Sequence, residues 1–254
     1  MLHIKNIQAG YKKKIIVDNI GFSIKPNKVT GLLGLNGAGK TTLLKTICGL
    51  LKPISGQVII GKQDLGKLNE KERAKYISFM PQRHSIIYDT KVIEVILMGI
   101  TSYLSMFETP SVRHREIGYK MLELVGMERF VDNNFLNLSE GQKQLVIIAR
   151  SLMQNAEVML FDEPDSALDF NNKHMVLKSI SDIIKKQNKI GIITLHDPNF
   201  ALKYCDKIII LKNGTIFSEF DIKDVNSDFI LEKFSNIYGE ISVVEHLGKF
   251  AIVR

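Results

Sequence analysis

Two kinds of apolar pattern alternate along the 254-residue chain. The first is the short unbroken run: Val158-Met159-Leu160-Phe161, and again Ile190-Gly191-Ile192-Ile193-Thr194-Leu195. Runs of this length with no polar partner residues suit strands of a parallel sheet covered on both faces. The second is helical spacing. Val92, Val95, Ile96 and Gly99 share one face, as do Ile117, Met121, Leu122, Leu124 and Val125 further on. That spacing predicts a helical region from Asp89 to Phe135 inside an otherwise strand-rich chain. Leu145, Val146, Ile148, Ala149, Leu152 and Met153 continue it in another amphipathic helix, and a further helix is expected from about Asn171 to Lys186.

Elsewhere the pattern is of strands and turns. Strands are expected at Leu2 to Ile7 and Ile15 to Ile24, with turns at Gly10 and Pro26-Asn27, then at Lys28 to Leu33, Gly56 to Ile60 and Lys75 to Met80. Asn213-Gly214 between Lys207–Leu211 and Thr215–Phe220 predicts a hairpin with a type I′ turn. The tail predicts a helix over Ser227 to Tyr238 and two short strands, Ile241 to Glu245 and Phe250 to Val253. Strands alternating with helices place the chain in the α/β class.

The sharpest chemistry lies between the strand at Lys28–Leu33 and the helix opened by Thr41. Gly34-Leu35-Asn36-Gly37-Ala38-Gly39-Lys40-Thr41 fits the phosphate-binding loop at every fixed position. Glycines let the backbone curl until several amide N–H groups face one oxyanion, and the helix N-terminus adds its positive end. Lys40 supplies a charge for the outer phosphates, and the Thr41 hydroxyl is placed for Mg²⁺.

Three further stretches fit that chemistry. The run ending at Phe161 terminates in Asp162 and Glu163, at the strand end where parallel sheets hold their ligands. Asp162 suits a magnesium ion and Glu163 the polarisation of an attacking water. His196 closes the next apolar run in the same topological place, within reach of a γ-phosphate. Ser139 and Gln142 form a Ser-x-x-Gln capping box. On its own this is a well-capped helix. Beside a phosphate loop, Ser139 and Gly141 read as a second anion-binding helix start.

Charge and cysteine content narrow the picture only slightly. Lysine and arginine exceed acidic residues by 34 to 27, a net +7, with no dense basic block beyond Lys12-Lys13-Lys14. Dispersed lysines are ordinary solvation, so no nucleic-acid partner is expected. Cys48 and Cys205 lie far apart without a metal-ligand spacing, which suits a reduced chain with free thiols. The N-terminus has no secretory pattern, and the apolar stretch from Val92 to Phe107 is shorter than a bilayer span.

Together the ordered motifs resemble the ATP-binding cassette (ABC) ATPase family over nearly the whole chain. Gly34 to Thr42 matches its phosphate loop, and Leu138-Ser139-Glu140-Gly141-Gln142 its Leu-Ser-Gly-Gly-Gln signature. Asp162 and Glu163 match the magnesium aspartate and catalytic glutamate, Ser166-Ala167-Leu168-Asp169 the dimer-contact loop, and His196 the switch histidine. Gln82 corresponds to the glutamine that senses magnesium and the transmembrane partner, and Tyr11 to the adenine-stacking aromatic. Glu140 departs from the usual glycine and is expected to turn outward; Asp165 departs from the usual threonine, with little expected of it.

The resemblance implies a RecA-like core with an antiparallel β subdomain, a helical subdomain over about 84–155 and a C-terminal helix and hairpin over about 221–254. It implies an ATPase. Nucleotide would lie against Tyr11, Gly34, Asn36, Gly37, Ala38, Gly39, Lys40, Thr41 and Thr42, with Gln142 and Asp169 also in the binding set, and would be held between Lys40 of one copy and Ser139 with Gly141 of a second. Magnesium would be held by Thr41, Gln82 and Asp162, and the catalytic set would be Lys40, Gln82, Glu163 and His196. Partners would be a second copy in a homodimer, integral-membrane permease subunits and, indirectly, an extracytoplasmic substrate-binding protein, at the cytoplasmic face of the cell membrane. Residues 95 to 111 and the tail are similar to the ATPases of iron-siderophore, haem and cobalamin importers. Importers of zinc, manganese or molybdate, or a cytosolic assembly factor, remain as alternatives; ribosome-associated cassettes usually add a coiled coil or a second cassette.

Overall fold

The computed structural model describes residues 1–12, 14–82, 89–105, 107–166 and 168–253. The chain opens with β1 (Leu2–Tyr11) and β2 (Lys14–Ile24), then β3 (Lys28–Leu33) leading into α1 (Lys40–Ile47). β4 (Ser55–Ile60), β5 (Gln63–Asp64), α2 (Glu70–Ala74) and β6 (Ile77–Met80) follow. A helical segment comes next, with α3 (Val92–Leu97), α4 (Val112–Leu124) and α5 (Glu140–Met153). β7 (Val158–Asp162), α6 (Phe170–Lys186), β8 (Ile190–Thr194), α7 (Pro198–Tyr204) and the hairpin β9 (Lys207–Lys212) and β10 (Thr215–Asp221) complete the central part. α8 (Ser227–Tyr238) and the hairpin β11 (Ser242–His246) and β12 (Lys249–Val253) form the tail.

Two main sheets result. The first is antiparallel, in the order β2-β1-β4-β5; the second is mixed, in the order β10-β9-β3-β8-β7-β6. β9, β3, β8, β7 and β6 run parallel, and β10 turns back along the edge. All five residues of β7 and of β8 are buried, as the unbroken apolar runs require. Alternation still decides where each side chain goes. Met159, Phe161 and Ile193 face a core shared with α3, α5, α6, α7 and α8. Val158, Leu160, Ile190 and Ile192 face the opposite core, with Leu43, Leu44 and Ile47 of α1 and the antiparallel sheet. The sheet is thus covered on both sides, and its strand C-termini end at one common edge.

Several expectations are met element by element. Asn213 and Gly214 have φ of 52° and 80°, the left-handed pair of a type I′ turn. Ser139 and Gln142 close their capping box, and α6, α8 and the tail hairpin lie within a residue or two of their expected ends. Cys48 and Cys205 are free. Burial pushes the Cys48 thiol up to about 11 and raises that of Cys205 as well.

Other expectations are corrected. The helical region expected from Asp89 to Phe135 is broken into α3 and α4, with no helix over the described residues 101–105 and 107–110, because Pro110 and the Ser111 cap restart the helix. The first residues of the expected helical subdomain, 84–88, lie outside the described ones. Leu124, counted on the apolar face of α4, is 44% exposed; the buried face of that helix is carried by Gly118 and Leu122. The strand expected from Lys75 begins at Ile77, since Asn69 and Glu72 form a capping box that starts α2 just before it. α7 was not expected, although Asp197 caps it and Pro198 stands at its first turn.

α3 and α5 pack so closely that a Cβ at Gly99, just beyond α3, would lie 2.3 Å from the Arg150 carbonyl oxygen. Backbone cannot move aside as a side-chain tip can. Gly99→Val is therefore expected to lower unfolding free energy by about 1–3 kcal/mol through overpacking, read from urea denaturation. Unchanged stability would mean the two helices are not in this contact.

Candidate functional site

The phosphate loop occupies the turn between β3 and α1. Gly34, Gly37 and Gly39 have φ of 146°, 81° and 100°. At two of them space is also lacking. A Cβ at Gly34 would meet the Leu211 carbonyl oxygen at 2.4 Å, and one at Gly39 would meet Val17 Cγ1 at 2.6 Å. Asn36 and Gly37 form the exposed tip, while Ala38, Gly39, Lys40 and Thr42 are buried beneath it. Ala38 N–H donates to Leu35 O at 3.1 Å and closes the loop on itself.

Lys40 reaches back across this loop. Its Nζ donates to Gly34 O at 2.8 Å and to Leu35 O at 3.4 Å, so the ammonium sits where an anion cradled by the loop would be. Burial pulls its pKa below the usual lysine range, opposed by the carboxylates of Glu163 and Asp162.

Those carboxylates arrive from the end of β7. Parallel register sets Asp162 beside Thr194 at the end of β8. Thr194 Oγ1 donates to Asp162 Oδ1 at 2.8 Å and accepts from the Glu163 backbone N–H at 2.7 Å. Thr41 Oγ1, at the start of α1, donates to the same Asp162 oxygen at 3.1 Å. Glu163 has φ of 49°, a left-handed conformation unusual for a side chain of its kind. That turn swings its carboxylate off the strand line and into contact with two other site residues. His196 Nε2 lies 2.6 Å from Glu163 Oε1, and Gln82 Nε2 donates to Oε2.

Lys40, Thr41, Gln82, Asp162, Glu163 and His196 therefore gather at one edge, drawn from four separate segments. Ser139, Gly141 and Gln142 do not join them. Among the described residues no hydrogen bond links these three to Lys40, Thr41 or Asp162. They form the start of α5, where Gln142 N–H donates to Ser139 Oγ at 3.3 Å and Ser139 N–H to Gln142 Oε1 at 2.9 Å. Glu140 turns outward, as expected, and pairs with Lys143 at 2.8 Å. Gly141 is fixed by packing, since a Cβ there would lie 2.9 Å from Asn172 Cγ. Asn172 is in turn held by Asp169, the cap of α6, which accepts from its N–H and its side-chain amide at 2.8 and 3.0 Å. Ala167 of the expected dimer-contact loop lies outside the described residues. Tyr11 is 47% exposed at the tip of the β1–β2 hairpin, whose second strand passes beneath Gly39.

Two departures appear that the sequence reading underrated or missed. Asp165, of which little was expected, is 5% exposed, and burial raises its pKa. Thr194 went unremarked, though it is the one hydroxyl in an apolar run and stands in register with Asp162.

A sequence profile of ABC transporters matches residues 17–166. The chain belongs to the ABC transporter family. Its similarity to an uncharacterized ABC transporter ATP-binding protein of Methanocaldococcus jannaschii is 37% identity, covering 100% of this chain and 97% of that protein. It is 36% identical to a probable iron chelatin transport ATP-binding protein of Helicobacter pylori, covering 85% of this chain and 86% of that one. Its fold matches a dimeric ATP-binding cassette in a post-hydrolysis state bound to ADP and Pi, with a TM-score of 0.76 at 29% identity, over 89% of this chain and 100% of that one. The chain is an ABC ATPase, a nucleotide-binding subunit that hydrolyses ATP for a transporter.

Because Thr194 joins Asp162 to Glu163 at a wholly buried position, Thr194→Val keeps the shape and removes both bonds. Leaving a buried N–H and a carboxylate oxygen short of a partner is expected to cost about 1–3 kcal/mol, measured by denaturant unfolding. Misplacing Glu163 is expected to slow ATP turnover about tenfold or more, measured at saturating ATP. Parental values in both assays would remove Thr194 from the site.

Proposed function

We propose that the chain is the ATPase of an importer that takes up a chelated metal compound of the iron-siderophore, haem or cobalamin type. Similarity to the Helicobacter pylori iron chelatin protein supports the substrate class. Two copies face head to tail, each ATP lying between the Lys40 loop of one and the Ser139–Gln142 helix start of the other. The observation that carries this reading is the Glu163 carboxylate, held beside Asp162 yet turned out of the strand toward Gln82 and His196. A base so placed polarises water for in-line attack on the γ-phosphate.

The residues present also fit magnesium. Thr41 offers a hydroxyl and Asp162 a carboxylate 3.1 Å apart, the hard oxygen donors the ion prefers, and Gln82 would complete the set. When bound, Mg²⁺ neutralises phosphate charge. Lys40 exchanges its loop carbonyls for phosphate oxygens, Tyr11 covers the adenine, and His196 turns from Glu163 to the γ-phosphate. Glu140, already paired with Lys143, adds little repulsion.

A permease segment would dock beside Gln82 and the helical segment. An open groove of about 720 Å³ lies between α2 and the stretch after α3, lined by Glu70, Lys71, Tyr103 and Leu104 among others. Phe107, which falls in sequence between the lining residues Ser105 and Glu108, is 94% exposed. No described helix is long and apolar enough to cross a membrane, so the membrane face would be reached through that permease.

Lys40→Ala is expected to abolish ATP hydrolysis in a phosphate-release assay; near-parental turnover would sink the loop assignment. Glu163→Gln is expected to bind Mg-ATP and accumulate as a dimer in size-exclusion chromatography, with hydrolysis lost. A monomer hydrolysing at the parental rate would refute both the base and the sandwich. Purification of the tagged chain from detergent-solubilised membranes should recover a polytopic permease at equal copy number. Recovery with a soluble complex alone would overturn the transport reading.

A further inference from the structure

Gln144 is buried in the second turn of α5, and its side-chain amide donates to the Pro164 carbonyl oxygen at 2.6 Å. This contact joins two parts of the chain that the proposed sandwich uses in different nucleotide sites. The start of α5 belongs to the site completed by the partner. Pro164 follows Glu163, the base of the chain's own site.

We propose that Gln144 is a positioning residue for ATP hydrolysis, setting the aim of Glu163 and coupling the two nucleotide sites through α5. The turn it grips is held from several sides, and Gln144 is the contact that reaches it from α5. Glu163 sits at a left-handed φ of 49°, a conformation that surrounding contacts must impose. Its N–H is fixed from β8 by Thr194, and its carbonyl oxygen accepts from Ser166 N–H at 3.2 Å. Gln144 supplies the hold from the helical side. A buried amide donor on a short bond cannot be left without its acceptor cheaply, so a shift of α5 draws Pro164 with it. The start of α5 moves with the rest of the helix because the reciprocal Ser139–Gln142 box closes it into the first turn, one turn before Gln144. Engagement of a γ-phosphate by Ser139 and Gly141 is thereby felt one turn later at Pro164, and so at the base of the other site.

This inference rests on the head-to-tail dimer proposed above, and the experiment separates the two. Steady-state hydrolysis is measured against ATP concentration for the parental chain, Gln144→Met and Gln144→Arg. Methionine keeps approximately the shape and removes the donor, whereas arginine keeps a donor. Gln144→Met is expected to lose about tenfold in kcat with KM changed by less than about twofold, and to lose cooperativity in ATP. Gln144→Arg is expected to retain most of the turnover. ATP-driven dimerisation in the Glu163→Gln background should survive the added Gln144→Met change.

Parental kcat and cooperativity in Gln144→Met would overturn the proposal, as would equal losses in Met and Arg variants. Loss of the dimer only in the double variant would assign Gln144 to the sandwich and reject its action on the base. Failure of Glu163→Gln alone to dimerise would instead reject the sandwich, and the coupling with it. Should the Met variant not fold, hydrogen exchange on intact Glu163→Gln decides. The amides of Asp165 and Ser166 should gain protection together with those of α5 on adding Mg-ATP, and independent behaviour would overturn the link.

Discussion

Everything at the nucleotide edge hangs on one side chain that is neither charged nor catalytic. Thr194 Oγ1 spends its single proton on Asp162 and a lone pair on the Glu163 amide. Asp162 and Glu163 are consecutive, and on a regular strand they would point to opposite faces. Thr194 lets the strand stop between them. Asp162 stays in line, aimed across to Thr41, while Glu163 leaves in a left-handed turn toward His196 and Gln82. One hydroxyl thus turns adjacent carboxylates into two different tools.

That hydroxyl can act only because the sheet is parallel and buried on both faces. Register between β7 and β8 puts Asp162 and Thr194 side by side, and parallel direction brings the end of β3, with its phosphate loop, to the same edge. Burial does the rest. With water excluded, the Asp162 oxygen finds its partners in Thr194 and Thr41, and the Lys40 ammonium leans on loop carbonyls even as burial lowers its pKa. The electrostatic arrangement is a consequence of the packing that surrounds it.

Much of this was legible in the sequence because it is carried by short-range rules. The phosphate loop is one contiguous stretch whose glycines are demanded by positive φ and by lack of room. Unbroken apolar runs gave away β7 and β8, and Asn213-Gly214 needed only its own turn geometry. What stayed hidden depends on distant partners. Thr194 looks like filler in an apolar run until the register with β7 is known. Leu124 fits helical spacing yet is exposed, because α4 lays Gly118 against Ile93 and Ile96 of α3, and Leu124 points away from that face. Gln144 reads as a polar interruption on an apolar helix, and its acceptor lies 20 residues away. Local signals for α2 and α7 did exist, in the Asn69–Glu72 box and in Asp197-Pro198, but helices of five and seven residues carry too little periodicity to announce themselves.

The start of α5 shows how a structural cap can also serve a ligand. Ser139 accepts from Gln142 N–H over a long 3.3 Å, which uses a lone pair and leaves its own O–H free to donate. Helix geometry gives the Gly141 N–H no acceptor inside α5. The capping box therefore holds the helix end in shape and keeps two donors for an outside anion. Among the described residues no hydrogen bond joins this helix end to Lys40 or its loop, which belong to the other cluster. A helix end so prepared, and tied through Gly141 to Asn172 and Asp169, makes physical sense when a second copy brings the phosphate to it.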